Sequence, residues 1–316
     1  MTLPDPAAPS SGALHPTVTV VVPVYNDVAR LRTCLAALAA QDYPADRFDV
    51  VVADNASTED LRPALPAGDG RFIVVLEPRR GSYVARNTAA RRATGDVLAF
   101  TDGDCIPRPD WLSRAVAALT AEDPPDAVGG DINILFRNGS RPTTGPELYE
   151  TVEGFDQERF VTVTHFAATA NLVVPRATFE RVGDFNAALK SGGDLEWGRR
   201  LQEIGGRLDF AADAVVDHPS RPSWRDLTHK TVRITHGLVD LTENPETAGF
   251  ARDSWHNTKQ TFTVWIRIWQ APWPEERGAK LRFAAARSYA GLLELGVRAR
   301  RRLTDRGRAR RAGVSG

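Results

Sequence analysis

The chain contains 316 residues, of which 42% are hydrophobic and 25% are charged, as is usual for a globular protein with a substantial core. The 40 lysines and arginines balance 40 aspartates and glutamates, which argues against a nucleic-acid-binding surface spread over the whole protein. No run of about 18 apolar residues occurs, which argues against an ordinary membrane-spanning helix.

The N-terminus predicts a disordered leader rather than a targeting signal. Residues 1–16 are rich in Pro, Ala and Ser and have neither the basic start nor the apolar centre of a secretory signal. The two cysteines, Cys34 and Cys105, are far apart and match no metal or redox spacing, so we expect reduced thiols. These features predict a cytoplasmic protein.

The following hundred residues alternate apolar strands with helices. Four apolar, largely β-branched runs predict strands: 17–25, 48–54, 71–77 and 96–102. Helices are predicted after Asp27 and Asp110, and from Ser82 to a left-handed Gly95. This alternation is typical of an α/β fold with a doubly wound sheet.

Three of the four strands end in groups that commonly bind ligands. These groups are Tyr25, Asn26, Asp54, Asn55, Asp102 and Asp104. Ligands of doubly wound sheets bind outside the carboxyl ends of the strands. The sequence therefore predicts a binding site at this edge.

Asp102 and Asp104 flank a glycine at the end of the fourth strand. In extended chain, residues two apart project to the same side, so we expect both carboxylates to point together, with Gly103 allowing close approach of a ligand. Adjacent carboxylates repel unless a cation lies between them, and Mg²⁺-type ions bind one or two carboxylates plus substrate phosphates. A solvated turn is the alternative, and the motif alone leaves both open.

Two later segments carry further candidates. His218 follows a strand-like run at 211–217, where it is either a metal ligand or a structural histidine. Asp194 and Glu196 begin a predicted helix, and Asp194 is either its N-cap or a general base.

Three arginines, Arg79, Arg80 and Arg86, surround the N-terminus of the helix that begins at Ser82. Arginines beside a helix N-terminus can bind a diphosphate, although arginines on a helix are commonly exposed to solvent without binding a ligand.

The last part of the chain, 221–316, is predicted to be helical. It contains a Trp-rich segment at 255–273, and eight arginines against one acid, Asp305, between 298 and 311. A packed helix with a disordered basic end explains these features, and so does peripheral contact with the inner face of an anionic membrane.

Together these segments resemble the inverting nucleotide-sugar glycosyltransferases of family 2, which have the GT-A fold. The matching stretches are VVPVYND (21–27), VVADNAST (51–58), GSYVARNTAARRATGDVLAFTDGDCIPRPDWL (81–112), TANLVVPRATFERVGDFN (169–186), SGGDLEWGRRL (191–201) and VVDHP (215–219). They occur in the family's order. The resemblance implies a single Rossmann-like mixed sheet flanked by helices, with a C-terminal helical extension.

The resemblance also implies how the donor binds. Pro23, Tyr25, Asn26 and Asp54 would line the pocket for the base and ribose, and Arg86 would lie near the phosphates. The donor would be a nucleoside-diphosphate sugar, and UDP is the nucleotide expected first.

The metal and catalytic residues follow in the same way. Asp102, Gly103 and Asp104 form the DxD motif of the family, and Asp102 and Asp104 with His218 would hold a divalent Mn²⁺ or Mg²⁺. Asp194 matches the catalytic base, which would take the proton of an acceptor hydroxyl while that oxygen displaces the nucleotide and inverts the anomeric carbon.

Two departures from the family pattern matter. The family often has Glu-Asp where this chain has Gly193-Asp194, so Glu196 stays as a second candidate for the base. The QxxRW motif of processive synthases is absent, which favours transfer of one sugar. The acceptor would be a glycan, a lipid-linked intermediate or a small natural product, and no nucleic acid is expected.

The predicted domains are the leader 1–16, a GT-A domain 17–220 and the helical region 221–316. Residues 17–110 would form the nucleotide-binding half of the GT-A domain, and 111–220 the acceptor half.

Alternative functions are an inactive membrane-surface or scaffold protein that keeps the fold, and a sugar-phosphate nucleotidylyltransferase-like enzyme. The latter needs a Gly-rich basic loop after the first strand, which VVPVYND lacks, and a dehydrogenase fails on its missing G-x-G-x-x-G. A haloacid-dehalogenase-type phosphohydrolase would carry its aspartate pair on the first strand rather than the fourth.

Overall fold

The computed structural model describes residues 15–139, 141–243 and 274–312. The strands of these residues are β1 Val18–Val24, β2 Phe48–Asp54, β3 Phe72–Leu76, β4 Val97–Phe100, β5 Ile106–Pro107, β6 Ala127–Leu135, β7 Leu172–Pro175 and β8 Leu208–Pro219. They form one mixed sheet in the order β3-β2-β1-β4-β7-β6-β8-β5.

The first half of the sheet is parallel. β1 lies between β2 and β4, and β3 extends the sheet beyond β2. Val20 and Val21 of β1 face opposite sides and are both fully buried, which explains the continuous apolar run. The first three predicted strands are confirmed to within one residue at each end, whereas the fourth ends at Phe100, two residues early.

The second half of the sheet is mixed. β7 is antiparallel to β4 and β6, β8 is parallel to β6, and β5 is antiparallel to β8. β8 therefore returns to the sheet beside β5, which follows β4 in the chain. This return brings the end of β8 close to the residues that follow β4.

Helices cover both faces of the sheet. Their bounds are α1 Val28–Ala39, α2 Ser82–Arg92, α3 Trp111–Leu119, α4 Gly145–Glu153, α5 Gln157–Thr162, α6 Arg176–Val182, α7 Gly193–Glu203, α8 Trp224–Glu243 and α9 Arg277–Ala312. One core contains Leu31 of α1 and Trp111 of α3, and the other contains Phe179 of α6 and Trp197 of α7. The sheet is thus covered on both sides, as an α/β layer requires.

Gly95 does not have the predicted left-handed conformation. α2 ends at Arg92, its C-cap Ala93 has an extended backbone, and Gly95 is not among the residues with positive φ. A Cβ on Gly95 would lie 2.5 Å from the backbone nitrogen of Thr19, so the glycine is needed because the chain crosses β1 closely. The conformation is therefore set by a tertiary contact, which the helix-end pattern does not reveal.

α8 and α9 form the C-terminal helical extension that was predicted. Trp224 of α8 packs edge-on against Tyr289 of α9, with ring centroids 5.2 Å apart, and Phe283 of α9 packs with Leu148 of α4. The Trp-rich segment at 255–273 and residues 1–14 of the predicted leader lie outside the described residues. No described helix is long and apolar enough to cross a membrane.

Candidate active site

The candidate site lies at the carboxyl edge of β1, β2 and β4. The chain that follows β4 packs against the end of β1, where a Cβ on Gly103 would lie 3.2 Å from the carbonyl oxygen of Pro23. The DGD motif is therefore held beside the VVPVYND segment. This is the juxtaposition that the strand-end pattern predicts.

The DGD motif is a turn rather than the predicted extended chain. The amide of Cys105 donates to the carbonyl oxygen of Asp102 at 3.0 Å, so the alternation of side chains in a strand does not apply. Asp102 and Asp104 consequently have different neighbours. Asp102 pairs with Arg86, and Asp104 faces His218.

Arg86 is a buried guanidinium that forms an ion pair with Asp102. Burial favours the protonated carboxyl, but the charge of Arg86 holds the pKa of Asp102 below its usual value. Nε of Arg86 is buried without a hydrogen-bond partner among the described residues, so the pairing with Asp102 leaves one donor of the guanidinium unsatisfied. Arg79 is engaged elsewhere, because it pairs with buried Glu77.

His218 presents one ring nitrogen to Asp104. Its Nδ1 lies 2.8 Å from the carbonyl oxygen of Pro219, which can only accept, so Nδ1 carries the proton and Nε2 carries the lone pair. Nε2 lies 3.9 Å from Oδ2 of Asp104. Burial lowers the pKa of His218, although Asp104 acts in the opposite direction. A neutral imidazole and a carboxylate therefore face each other, as in many metal sites.

Cys105 is a third group at this position that the sequence analysis did not single out. Ligand atoms of Asp104, Cys105 and His218 all lie within 4.8 Å of one another. Burial, with the charges of the nearby aspartates, raises the pKa of the Cys105 thiol. Cys105 and Cys34 are both free and buried.

A buried charge cluster beyond His218 was also missed. Glu150 accepts from Nη1 of Arg221 and from Nζ of Lys230, both at 3.0 Å. Nη2 of Arg221 lies 3.3 Å from Nε2 of His218 and can donate a hydrogen bond to it. Burial opposes ionisation of Glu150, but Lys230 and Arg221 hold its pKa below the usual value. In the sequence, the only sign of this cluster was Arg221, a cation three residues after His218.

The residues predicted to bind the nucleotide lie together at the ends of β1 and β2. Tyr25 is 45% exposed, and the guanidinium of Arg80 lies 3.8 Å from its ring centroid. Oδ1 of Asn26 accepts from the amide of Thr58 at 2.7 Å, and Asp54 accepts from another amide of the same loop at 2.8 Å. An exposed aromatic face beside ordered polar groups suits a base and a ribose.

Asp194 lies inside the first turn of α7 and is not the N-cap. The N-cap is Gly192, in a left-handed conformation, and its position leaves the carboxylate of Asp194 free for other contacts. Oδ1 of Asp194 accepts from the amide of Leu195 at 3.0 Å and from the hydroxyl of Tyr83 at 3.2 Å. The interpretation of Asp194 as a simple helix cap is therefore wrong.

Glu196 has a partner that its position predicts. Nε and Nη2 of Arg200 lie 2.7 and 3.1 Å from its two carboxylate oxygens, one helical turn away. Arg200 also donates to the carbonyl oxygens of Val182 and Asp184. Glu196 thus helps to hold α7 against the end of α6.

Comparison with known proteins shows which family the chain resembles. A family model described as glycosyl transferase family 2 matches residues 19–179. Glycosyltransferase AglE of Haloferax volcanii is 35% identical over 230 residues, which cover 72% of this chain and 74% of that protein. Pre-mycofactocin glycosyltransferase of Mycobacterium tuberculosis is 29% identical over 69% of this chain, which spans only 46% of the length of that relative.

A solved structure shares the fold. The mannosyltransferase PcManGT from Pyrobaculum calidifontis, in complex with GDP-Man and Mn²⁺, superposes with a TM-score of 0.56 at 23% identity and covers 91% of this chain. The alignment covers 75% of that chain. Together with the mixed sheet and the C-terminal helices, this likeness confirms the predicted GT-A-type α/β fold. The match of the family model and the relationship to AglE establish that the chain belongs to glycosyltransferase family 2 and is a glycosyltransferase.

Proposed function

We propose that this glycosyltransferase moves one sugar from a nucleoside-diphosphate sugar to a hydroxyl group, with inversion and with the help of a divalent cation. The observation that carries the proposal is that the unprotonated Nε2 of His218 faces Asp104 at the sheet edge that also holds the predicted nucleotide residues. UDP-sugars are the first donors to test. GDP-sugars are the second, because the structural neighbour was solved with GDP-Man.

In this proposal the donor lies across the ends of β1, β2 and β4. Tyr25 offers an exposed face to the base, and Asn26 and Asp54 offer polar groups to the ribose, with Pro23 as part of the wall. The Arg86–Asp102 pair and the close-packed Gly103 would hold the ribose and the diphosphate.

Asp104 and His218 fit a divalent cation such as Mn²⁺ or Mg²⁺. The hydrogen bond from Nδ1 to Pro219 fixes the His218 ring with its lone pair towards Asp104, which is the support that metal-ligating histidines ordinarily have. Asp102 lies next to them but is held by Arg86. A bound cation would offset the negative charge of the departing diphosphate.

Asp194 would act as the general base on the acceptor hydroxyl. The attacking oxygen would approach opposite the leaving diphosphate, so a single displacement inverts the anomeric carbon. Glu196 is the weaker candidate because Arg200 occupies both of its carboxylate oxygens. The acceptor class is proposed as a glycan, a lipid-linked intermediate or a small natural product, and the absence of QxxRW favours a single transfer.

Release of nucleotide from a panel of UDP-, GDP- and dTDP-sugars tests the proposal. We expect release with one donor class in the presence of Mn²⁺ or Mg²⁺, and its loss on chelation. Release that survives chelation would rule out the metal-dependent mechanism. An inactive scaffold would release nothing with any donor, and a nucleotidylyltransferase-like enzyme would instead form nucleotide sugar from nucleoside triphosphate and sugar phosphate.

We also propose that α9 contacts an anionic membrane surface. Leu281, Leu292 and Leu303 are 48%, 63% and 68% exposed and are spaced by 11 residues, about three helical turns, so they lie on one face. Arg282 and Arg300 are exposed near this face, and the rest of the C-terminal segment is strongly basic. An apolar stripe with arginines beside it suits the interface of an anionic bilayer.

Sedimentation with vesicles tests this contact without deleting α9, which packs against α4. Replacing Leu292 and Leu303 with glutamine is expected to reduce binding to anionic vesicles about 10-fold or more, because two exposed apolar side chains no longer insert. Leu76→Gln is the matched control, since Leu76 is 65% exposed on β3. Equal binding by the double variant and the control would contradict the contact.

A further inference from the structure

The proposed base has a partner on another helix that sequence motifs do not reveal. The hydroxyl of Tyr83, on α2, lies 3.2 Å from Oδ1 of Asp194, and the two residues are 111 positions apart in the chain. The backbone amide of Asp194 lies 3.4 Å from the same phenol oxygen and donates to it. Since that amide uses an acceptor site of the phenol, the phenol proton is directed towards the carboxylate.

The two oxygens of the Asp194 carboxylate differ. Oδ1 accepts from Tyr83 and from the amide of Leu195, whereas Oδ2 accepts no hydrogen bond from the described part of the chain. The side chain is partly exposed. A carboxylate with one oxygen held by two donors keeps the other in a fixed direction, which is the arrangement that proton abstraction requires.

The ring of Tyr83 is held as firmly as its hydroxyl. The residue is 4% exposed, and its ring packs against Phe185 with centroids 5.7 Å apart. On its other side it fills the space next to Gly193, where a Cβ would lie 2.7 Å from the ring atom Cε2. The glycine that departs from the Glu-Asp pattern is therefore the residue that admits the ring.

We propose that Tyr83 is the positioning residue of the base, fixing Asp194 through its hydroxyl so that Oδ2 faces the acceptor, and that Gly193 is required to admit its ring. The inference rests on the proposed function, because it assumes that Asp194 is the base. Tyr83 acts through Asp194 and does not touch the sugar. Burial raises the pKa of Tyr83, so the phenol stays a donor at ordinary pH.

Tyr83→Phe isolates this role from packing. Phenylalanine keeps the ring, its contact with Phe185 and its fit against Gly193, and loses only the hydroxyl. The assay is nucleotide release from whichever donor of the panel is active, with water as the acceptor. The constants kcat and KM for the donor are measured across pH for the wild type, Tyr83→Phe, Asp194→Asn and the double variant.

We expect Tyr83→Phe to lower kcat about 10-fold, the cost of one hydrogen bond to a charged group, with little change in the KM for the donor. In the Asp194→Asn background the same change should cost almost nothing, since a residue that acts through another has no separate effect.

Three results would overturn the proposal, and they separate its failure from that of the base assignment. If Asp194→Asn is inactive but Tyr83→Phe matches the wild type in kcat and pH profile, only the role of Tyr83 is wrong. An equal cost of Tyr83→Phe in both backgrounds would mean that it acts independently of Asp194. If Asp194→Asn is fully active, the base assignment and this inference both fail.

A second variant tests the contact from the other side. Gly193→Ala would push its Cβ into the Tyr83 ring, and we expect it to lower kcat at least 10-fold with a folded protein by circular dichroism. Gly70→Ala is the control, because a Cβ there meets nothing within 4 Å. A Gly193→Ala variant with wild-type kcat and pH profile would show that the ring needs no such space and would overturn the role given to Gly193.

Discussion

Replacing Asp194 with asparagine is expected to lower the rate of nucleotide release by about 10²–10⁴-fold, the usual contribution of a general base. The amide oxygen of asparagine can still accept from Tyr83 and Leu195, so the local structure should persist. What is lost is the basic oxygen that takes the proton. The measurements are nucleotide release from the active donor at saturating concentration and nucleotide binding by calorimetry. The affinity for the nucleotide should remain within about 3-fold of the wild type, because the hydrogen-bond partners of Asp194 are Tyr83 and Leu195 and not the predicted nucleotide residues.

Glu196→Gln is the matched control for this prediction. It changes a carboxylate two positions away that already pairs with Arg200. We expect near-normal rates and a loss of stability of about 1 kcal/mol or less, as for other partly exposed ion pairs. The reverse pattern, an inactive Glu196→Gln and an active Asp194→Asn, would transfer the role of base to Glu196.

Replacing Asp104 with asparagine is expected to reduce nucleotide release about 10²–10³-fold, the usual cost of losing one group that stabilises developing charge, and to weaken its dependence on Mn²⁺ or Mg²⁺ concentration. The reason is that Asp104 is the carboxylate that faces Nε2 of His218, so the site loses its anionic ligand. Titration of activity with each ion, in protein first stripped by a chelator, gives the change in both maximum rate and apparent metal affinity.

Asp217→Asn provides the control for Asp104. Asp217 is adjacent to His218, but its partners are Arg108 and Asn133, and successive residues of a strand point to opposite faces of the sheet. Its replacement should leave the metal dependence unchanged. If Asp104→Asn retains the wild-type response to both ions, the carboxylate–histidine site does not bind the cation.

The sequence predicted the half of the site that depends on local patterns. Buried apolar runs identify β1, β2 and β4, and parallel strands bring their carboxyl ends to one edge, so Asp54 and Asp102 lie at the same edge of the sheet, as expected. The geometry of the DGD motif was not predictable in this way. Its turn depends on the hydrogen bond between Cys105 and Asp102, which a strand pattern cannot distinguish from continued extension.

The contacts that the sequence could not predict all join distant segments. Tyr83 meets Asp194 only because α2 and α7 pack on the same face of the sheet, and Arg221 meets Glu150 only because β8 ends beside α4. Each pair depends on how a helix packs against the sheet. No local pattern in the sequence shows that packing. The resemblance to the family identifies Asp194 as a candidate base but does not indicate its hydrogen bond with Tyr83.

The ion pairs around the DGD turn have a consequence for folding. Zinc fingers unfold without metal because their ligands have no other partners. Here Asp102 is compensated by Arg86, and Glu150 by Arg221 and Lys230. The protein's own cations thus compensate these carboxylates without a bound metal ion. A chelator should therefore stop turnover while the protein stays folded, with its thermal transition lowered only by the binding energy of the ion, and the lost activity should return when the ion is added.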